Sequence, residues 1–298
     1  MLQFQMKWLY TKLGRLKMDE YMKENRDLWN EITDIHVASD FYDVEGFKHG
    51  RSSMLYPVEL EEMGNVSGKS LLHLQCHFGM DTLSWARLGA KVTGVDFSDK
   101  SIESARSLSE EIGIPADFIC SNIYDLPENL KGTFDIVYTS GGVLCWLPDL
   151  KRWAEIISHF LKPGGFFYIL EGHPFSCVFD DSPDATELKV KYSYFHTPEP
   201  TKWEPQCDYT SPVKGSLKWI NDDPDAVVTH GSYEWTHSLG DIINALISGG
   251  LKIEFLHEFP MIFYKCLSFM EQDDDGRWRI KGDKIPLIFT LKASKEEH

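Results

Sequence analysis

The chain has no C-x-x-C pair, no apolar run approaching a membrane span, and little positive charge for its size. Each shortage excludes something. The cysteines present are Cys76, Cys120, Cys145, Cys177, Cys207 and Cys266. Their scatter fits buried free thiols of a reducing compartment better than a disulfide framework or a zinc site. Without a long apolar run, no membrane span is expected. Lys and Arg number 30 against 46 Asp and Glu, for a net charge of −16. Such a surface repels nucleic-acid phosphates and anionic lipid. The expectation is a cytoplasmic protein with a small-molecule partner and neither nucleic acid nor membrane; the oligomeric state is not legible. Glycine is also scarce at one place that matters. The loop from Gln75 to Asp81 holds only Gly79, where nucleotide-cofactor loops of this layout hold three glycines.

What is present suffices for a core: 42% hydrophobic residues in a 298-residue chain, with nine Trp. The first segment, "MLQFQMKWLYTKLGRLK", carries basic residues and no acidic ones, and its apolar residues are interrupted. It lacks the continuous apolar centre of a signal peptide. Two readings stand open for it: an amphipathic helix on a membrane surface, or an upstream extension of a natural start at Met18. Residues 19–36 have helical spacing, with Tyr21, Leu28, Ile32 and Ile35 on one side. A short helix is expected near 58–63.

Alternation of strand and helix then begins. Strands are predicted at 71–75, 91–96, 117–120, 134–140 and 166–171, with helices at 81–88, 99–113 and 149–160. "LKPGG" is read as a turn into the fifth strand. This order argues for a parallel sheet covered on both faces. Residues 174–230 break the pattern. They are rich in Pro, Asp, Lys and aromatics, among them Phe175, Tyr194, Tyr209 and Trp219. Short strands such as "LKVKYSYF" are expected there, in an insert acting as a lid or a satellite core. A helix follows at 238–250, then strands at 251–259 and 285–293, with "EQDDDG" as a solvated loop between them.

Ligands of open parallel sheets lie beyond the carboxyl ends of the strands. The first strand ends in Gln75-Cys76-His77-Phe78-Gly79-Met80-Asp81 and the second at Asp96, a carboxylate placed to accept two hydrogen bonds from a ribose diol. "GNVSGKS", 64–70, is one residue short of a phosphate loop and precedes a strand instead of following one. His73, Cys76 and His77 have no second ligand cluster near them in sequence, so no metal is expected.

With these residues in view the chain resembles the class I S-adenosylmethionine-dependent methyltransferases over about 66–173 and the "ALISGGLKIEFLHEF" block. The family's first motif has the form hydrophobic-acid-hydrophobic-G-x-G-x-G. Here Leu72-His73-Leu74-Gln75-Cys76-His77-Phe78-Gly79 stands in its place, with His73 for the acid and Gln75 and His77 for two glycines. Val95-Asp96-Phe97-Ser98 matches the second motif, and Asn122 replaces the acid of the third. "FDIVYTSGGVLCWLPDL" and "LKPGGFFYILEGH" match the fourth and fifth. Non-glycine residues at 75 and 77 imply either an ordinary backbone path or tolerated strain, with side chains free to meet the methionine end.

The resemblance implies a Rossmann-like doubly wound α/β sheet of seven strands, order 3-2-1-4-5-7-6 with strand seven antiparallel, and an aromatic-rich insertion after strand five. It divides the chain into an N-terminal helical cap (1–65), a methyltransferase domain (66–173 plus 231–298) and an inserted lid or substrate subdomain (174–230). It implies methyl transfer by in-line displacement to a small or medium organic acceptor, S-adenosylmethionine leaving as S-adenosylhomocysteine. The cofactor contacts expected are Gln75, Cys76, His77, Gly79, Asp81, Asp96, Phe97, Ser98, Asn122, Ile123, Tyr124 and Ser140. Candidate catalytic groups are His173 and Glu171, set against a plain turn at His173-Pro174. Candidate acceptor-binding residues are Trp29, Tyr42, Trp146, Tyr233 and Trp235. Two alternatives stay open: a non-catalytic S-adenosylmethionine-binding sensor, and an NAD(P)-dependent oxidoreductase, for which Asp96 would also serve but the full G-x-G-x-x-G is missing.

Overall fold

The computed structural model describes residues 2–51, 53–204 and 228–297, with the side chains of the first helix described from Met18 onward. The chain opens with α1 (Leu2–Val37), α2 (Val44–Lys48) and α3 (Pro57–Met63). Alternation follows as β1 (Ser70–Leu74), α4 (Met80–Arg87), β2 (Lys91–Asp96), α5 (Asp99–Ile112), β3 (Asp117–Cys120), α6 (Leu126–Asn129), β4 (Phe134–Thr139), α7 (Leu150–Phe160) and β5 (Leu161–Gly172). The second half comprises β6 (Thr201–Trp203), β7 (Ser232–Glu234), α8 (Leu239–Ser248), β8 (Leu251–Phe259), β9 (Met261–Ile262), β10 (Glu271–Gln272), β11 (Trp278–Arg279) and β12 (Ile288–Lys295).

Local chemistry sets the ends. Ser98 caps α5 by accepting from the Ser101 N–H, and Gly113 closes it in a left-handed conformation. Asp149 caps α7, and Ser238 with Asp241 forms a capping box on α8. The main sheet has seven strands in the order β3-β2-β1-β4-β5-β12-β8. The first five are parallel, and β12 runs antiparallel to both β5 and β8. This is the expected topology. Strand alternation sorts the core: Leu72, Val137, Phe167 and Leu291 pack with α7 and α8 on one face, while Leu71, Ile136, Tyr138 and Tyr168 join Met63 and Trp85 on the other.

Four local expectations change. "LKVKYSYF" forms no strand; it makes one isolated bridge, Val190 with Phe179, because it is largely exposed and no neighbouring strand offers a ladder. Among the described residues of this insert the strand is instead β6, paired antiparallel with β7. "LKPGG" is absorbed into β5, whose register against β4 shifts between Phe134 and Ile136 while Gly164 takes φ 77°. The last strand starts at Ile288. "EQDDDG" is exposed but tightly organised as the β10–β11 hairpin, where Asp273 accepts the Asp275 and Arg277 N–H groups and pairs with Arg279. Together with β9 it makes a small second sheet inserted between β8 and β12. Of the insert's named residues, Cys207, Tyr209 and Trp219 lie outside the described residues.

Candidate active site

The loop after β1 keeps the shape of a glycine loop without the glycines. Gln75 (φ 58°), His77 (φ 51°) and Gly79 (φ 81°) all occupy the left-handed region. The ordinary backbone path is thereby ruled out; the loop tolerates strain of about 1–2 kcal/mol at each non-glycine position. Bonds around it offset that cost. The Cys76 N–H donates to Val95 O, the His77 N–H to Asp96 Oδ2, and the Gly79 N–H to Cys76 O, each at 2.9 Å. Gln75 Nε2 donates to Val143 O, while Gln75 Oε1 is buried without a partner.

The His77 ring reaches the cap. It is bonded to His36 Nδ1 at 2.9 Å and Ser101 Oγ at 3.1 Å, and packs edge-on against Trp29 and Tyr42. Burial and the neighbouring His36 push its pKa well down, so the ring is neutral and ties α1 to the loop. His73, in the acid's place, is fully buried between Thr82 Oγ1 and Ser140 Oγ. Burial drives its pKa to about 3. It does not line the cavity described below.

At the end of β2, Asp96 accepts the N–H of His77 and of Ser98. Burial raises it to about 6 against those bonds. Ser98 is turned to α1 through Asn30. Asn122 Oδ1 accepts the Tyr124 N–H, and its second lone pair and its amide nitrogen are left for a ligand. Tyr124 faces away, its hydroxyl against Asp149 and its ring under Arg152.

A cavity of about 480 Å³ opens at these strand ends. Gln75, Cys76, His77, Gly79, Asp81, Asp96, Phe97, Asn122, Ile123 and Ser140 all line it; Ser98 and Tyr124 do not. Trp29, Tyr42 and Trp146 line it, with Phe41 of the cap. Tyr233 and Trp235 do not: along β7 the wall residues are Ser232 and Glu234, so the other parity of the strand faces inward. Tyr233 packs on Tyr21 instead.

The two catalytic candidates, Glu171 and His173, sit beside the cavity wall without forming it. Glu171 is buried and accepts four backbone N–H groups, from Gly142, Val143, Leu144 and Gly172. It clamps the loop after β4. His173 Nδ1 accepts the Phe175 N–H and Nε2 lies 2.9 Å from Glu258, which is the turn reading. Burial lowers its pKa, with Glu258 opposing.

Several wall residues had no sequence signal. Tyr56 and Glu59 come from the cap, Tyr138 from near the end of β4, and Ile262, Phe263 and Tyr264 from the second insert. Only the buried carboxylate in "YPVELEEM" could have been noticed, and in sequence it reads as a helix cap.

Residues 72–169 match a family model described as a methyltransferase domain. Among curated relatives, a ubiquinone biosynthesis O-methyltransferase of Chromobacterium violaceum is 34% identical over 109 residues, 37% of this chain and 47% of that one. One from Bordetella pertussis is 34% identical over 121 residues, 40% of this chain and 50% of that one. The chain thus spans about half the length of these relatives. In fold it is similar to an S-adenosylmethionine-dependent methyltransferase from Mesorhizobium loti (TM-score 0.51, 19% identity, 80% of this chain and 95% of that one). A second, from Clostridium acetobutylicum, has TM-score 0.51 at 15% identity over 88% of this chain and 94% of that one.

Proposed function

We propose, on the premise that this chain carries a class I S-adenosylmethionine-dependent methyltransferase domain, that the whole protein transfers the methyl group of S-adenosylmethionine to a small organic acceptor. One observation carries this: the loop at 75–79 retains three left-handed positions and presents its His77 amide to Asp96 although two glycines are gone. Strain of that kind persists only where the surrounding structure enforces it. Gln75 Oε1, buried and unpartnered on the wall, supplies an acceptor for an ammonium group that His73 cannot provide.

Bound S-adenosylmethionine supplies an activated methyl on a positively charged sulfur. The protein's own work is to bind, orient and dry the site. Asp96 would receive the ribose diol, Asn122 and Ile123 the adenine, and Gln75, Cys76, His77, Gly79 and Ser140 the methionine end. Trp29, Tyr42 and Trp146 would roof the acceptor. We take residues 1–65 as the cap, 66–173 with 231–298 as the catalytic domain and 174–230 as an insert, with the second insert between β8 and β12 adding the acceptor wall. The O-methyltransferase names of the relatives favour oxygen as the receiving atom, though the matched half is the cofactor half. A cytoplasmic setting accords with the free thiols Cys76, Cys120, Cys145, Cys177 and Cys266.

Isothermal titration tests the reading. S-adenosylmethionine and S-adenosylhomocysteine are expected to bind at micromolar concentration, and NAD and NADP not at all. Asp96→Ala removes two hydrogen bonds to a charged acceptor, about 1.5–3 kcal/mol, so affinity falls about 10- to 100-fold. Absence of binding by the wild-type protein overturns the proposal.

A further inference from the structure

Glu59 lies where a helix-capping glutamate belongs, yet its surroundings exceed that role. As the third residue of α3 it accepts the Tyr56 N–H at 2.9 Å through Oε2. A cap needs one oxygen and ordinarily sits in water. Glu59 is 2% exposed. Its other oxygen accepts the Tyr138 hydroxyl at 2.6 Å, and its side chain lines the cavity with Asp81. The same cavity is also lined by Tyr56, Phe263 and Ile288.

No lysine or arginine among the described residues lines the cavity. The groups that act on Glu59 are the Asp81 carboxylate from α4, the Tyr138 hydroxyl from β4, the Tyr56 N–H ahead of α3, and Tyr168 from β5. Glu62, on its own helix, is engaged by Tyr168 and His257. His73, neutral, packs on the Tyr138 ring at 4.7 Å. Burial and the Asp81 carboxylate hold Glu59 up at about 8, and burial holds Asp81 at about 7. Among the described residues that line the cavity, no lysine or arginine is present to ionise this carboxylate. The carboxyl rests protonated until a ligand brings a positive charge, and the sulfonium carries one.

Resting on the function proposed above, we propose that Glu59 is protonated in the free protein, gives its proton to solvent as the sulfonium binds, and then takes the proton of an acceptor hydroxyl or amine as methyl transfer occurs. The acceptor's lone pair forms the new bond to the methyl carbon. The carbon–sulfur bond breaks, its electron pair staying on sulfur as a neutral thioether. The acceptor's proton passes to the Glu59 carboxylate. Charge balances: sulfonium and carboxylate become thioether and carboxylic acid, and the free state of Glu59 is restored. This confines acceptors to groups with a removable proton and leaves out tertiary amines and thioethers.

The test counts protons without needing the acceptor. S-adenosylmethionine and its uncharged product S-adenosylhomocysteine are titrated into the whole protein at pH 7.5, in phosphate and in Tris, whose heats of ionisation differ. The sulfonium ligand is expected to release between half and one proton more than the thioether. Glu59→Gln should bind both ligands and lose the difference, whereas Asp81→Asn, which removes one of the causes that hold the Glu59 proton, should reduce the difference without abolishing it. Equal release by wild type, or a difference that survives Glu59→Gln, overturns the proposal. Failure of both ligands to bind wild type instead sinks the underlying function. Should Glu59→Gln not fold, Tyr138→Phe decides: losing the hydroxyl that stabilises the carboxylate must move the pH midpoint of proton release upward by about half a unit or more. An unmoved midpoint would refute the assignment.

Discussion

Gln75 and His77 show how two residues hold a conformation that favours glycine. At φ 58° and 51° each pays for a Cβ near its own carbonyl, but each also uses its side chain. Gln75→Gly should relieve about 1–2 kcal/mol of strain and lose about 0.5–1 kcal/mol to unfolded-state freedom, with a further loss from the Val143 hydrogen bond. The expected net change is within about 1 kcal/mol, read as a melting temperature shifted by under about 4 °C, while affinity for S-adenosylmethionine falls. Gly79 differs. A Cβ there would lie 2.7 Å from the Phe118 ring and 2.9 Å from Ala105 Cβ, at φ 81°. Gly79→Ala combines strain with overpacking and should cost about 2–4 kcal/mol, visible in urea denaturation as a lower midpoint with unchanged slope.

At the scale of elements, the loop joining β4 to α7 is set by a carboxylate on the neighbouring strand. The β5 residue Glu171 takes the N–H groups of Gly142, Val143 and Leu144, and Gly142 and Val143 form part of the cavity wall. Glu171→Gln would turn an amide –NH₂ toward donors. Losing charge-assisted bonds in a buried setting is worth about 1.5–3 kcal/mol, and cofactor affinity should weaken as the loop loosens. Both are measurable by thermal melting with and without S-adenosylhomocysteine. If stability drops and affinity does not, the clamp serves the fold alone. The same scale explains β7. Alternation puts Ser232 and Glu234 inward and Tyr233 outward, and three residues without a readable partner strand do not reveal their parity.

For the whole molecule, the buried carboxyls decide how stability varies with pH. Glu59 and Asp81 are raised by burial to about 8 and about 7. The folded protein therefore holds more protons than the unfolded chain above the ordinary carboxylate range, and that stabilisation is lost as pH rises through those values. His73 and His237 are lowered by burial to about 3 and about 4. Their contribution is lost in acid and complete above about pH 6.5. Between pH 6.5 and 8, only the carboxyl loss is changing among these four. The melting temperature of the free protein should fall over that interval, and less steeply in Glu59→Gln. A flat profile would mean these groups are hydrated. Added S-adenosylmethionine should raise the melting temperature more at pH 8 than at pH 6.5, because the sulfonium compensates the ionised pair.

The sequence alone determined the sheet and where its ligand end lies. The segments read as strands, 71–75, 91–96, 117–120 and 134–140, each followed by turn or capping residues, are local signals that tertiary context had no reason to override. Asp96 was legible for the same reason, as an acid ending a buried strand. Three things were decided only by the tertiary structure. The left-handed path at Gln75 and His77 depends on Val95, Asp96 and α1, all distant from the loop in sequence. The place of Glu171 and His173 off the cavity wall depends on which way one strand end turns, and each has backbone partners there. Glu59 became a cavity residue because α3 packs its third position over Tyr138, 79 positions away. A carboxylate's role is set by what surrounds it, and burial and partners are not written next to it in the chain.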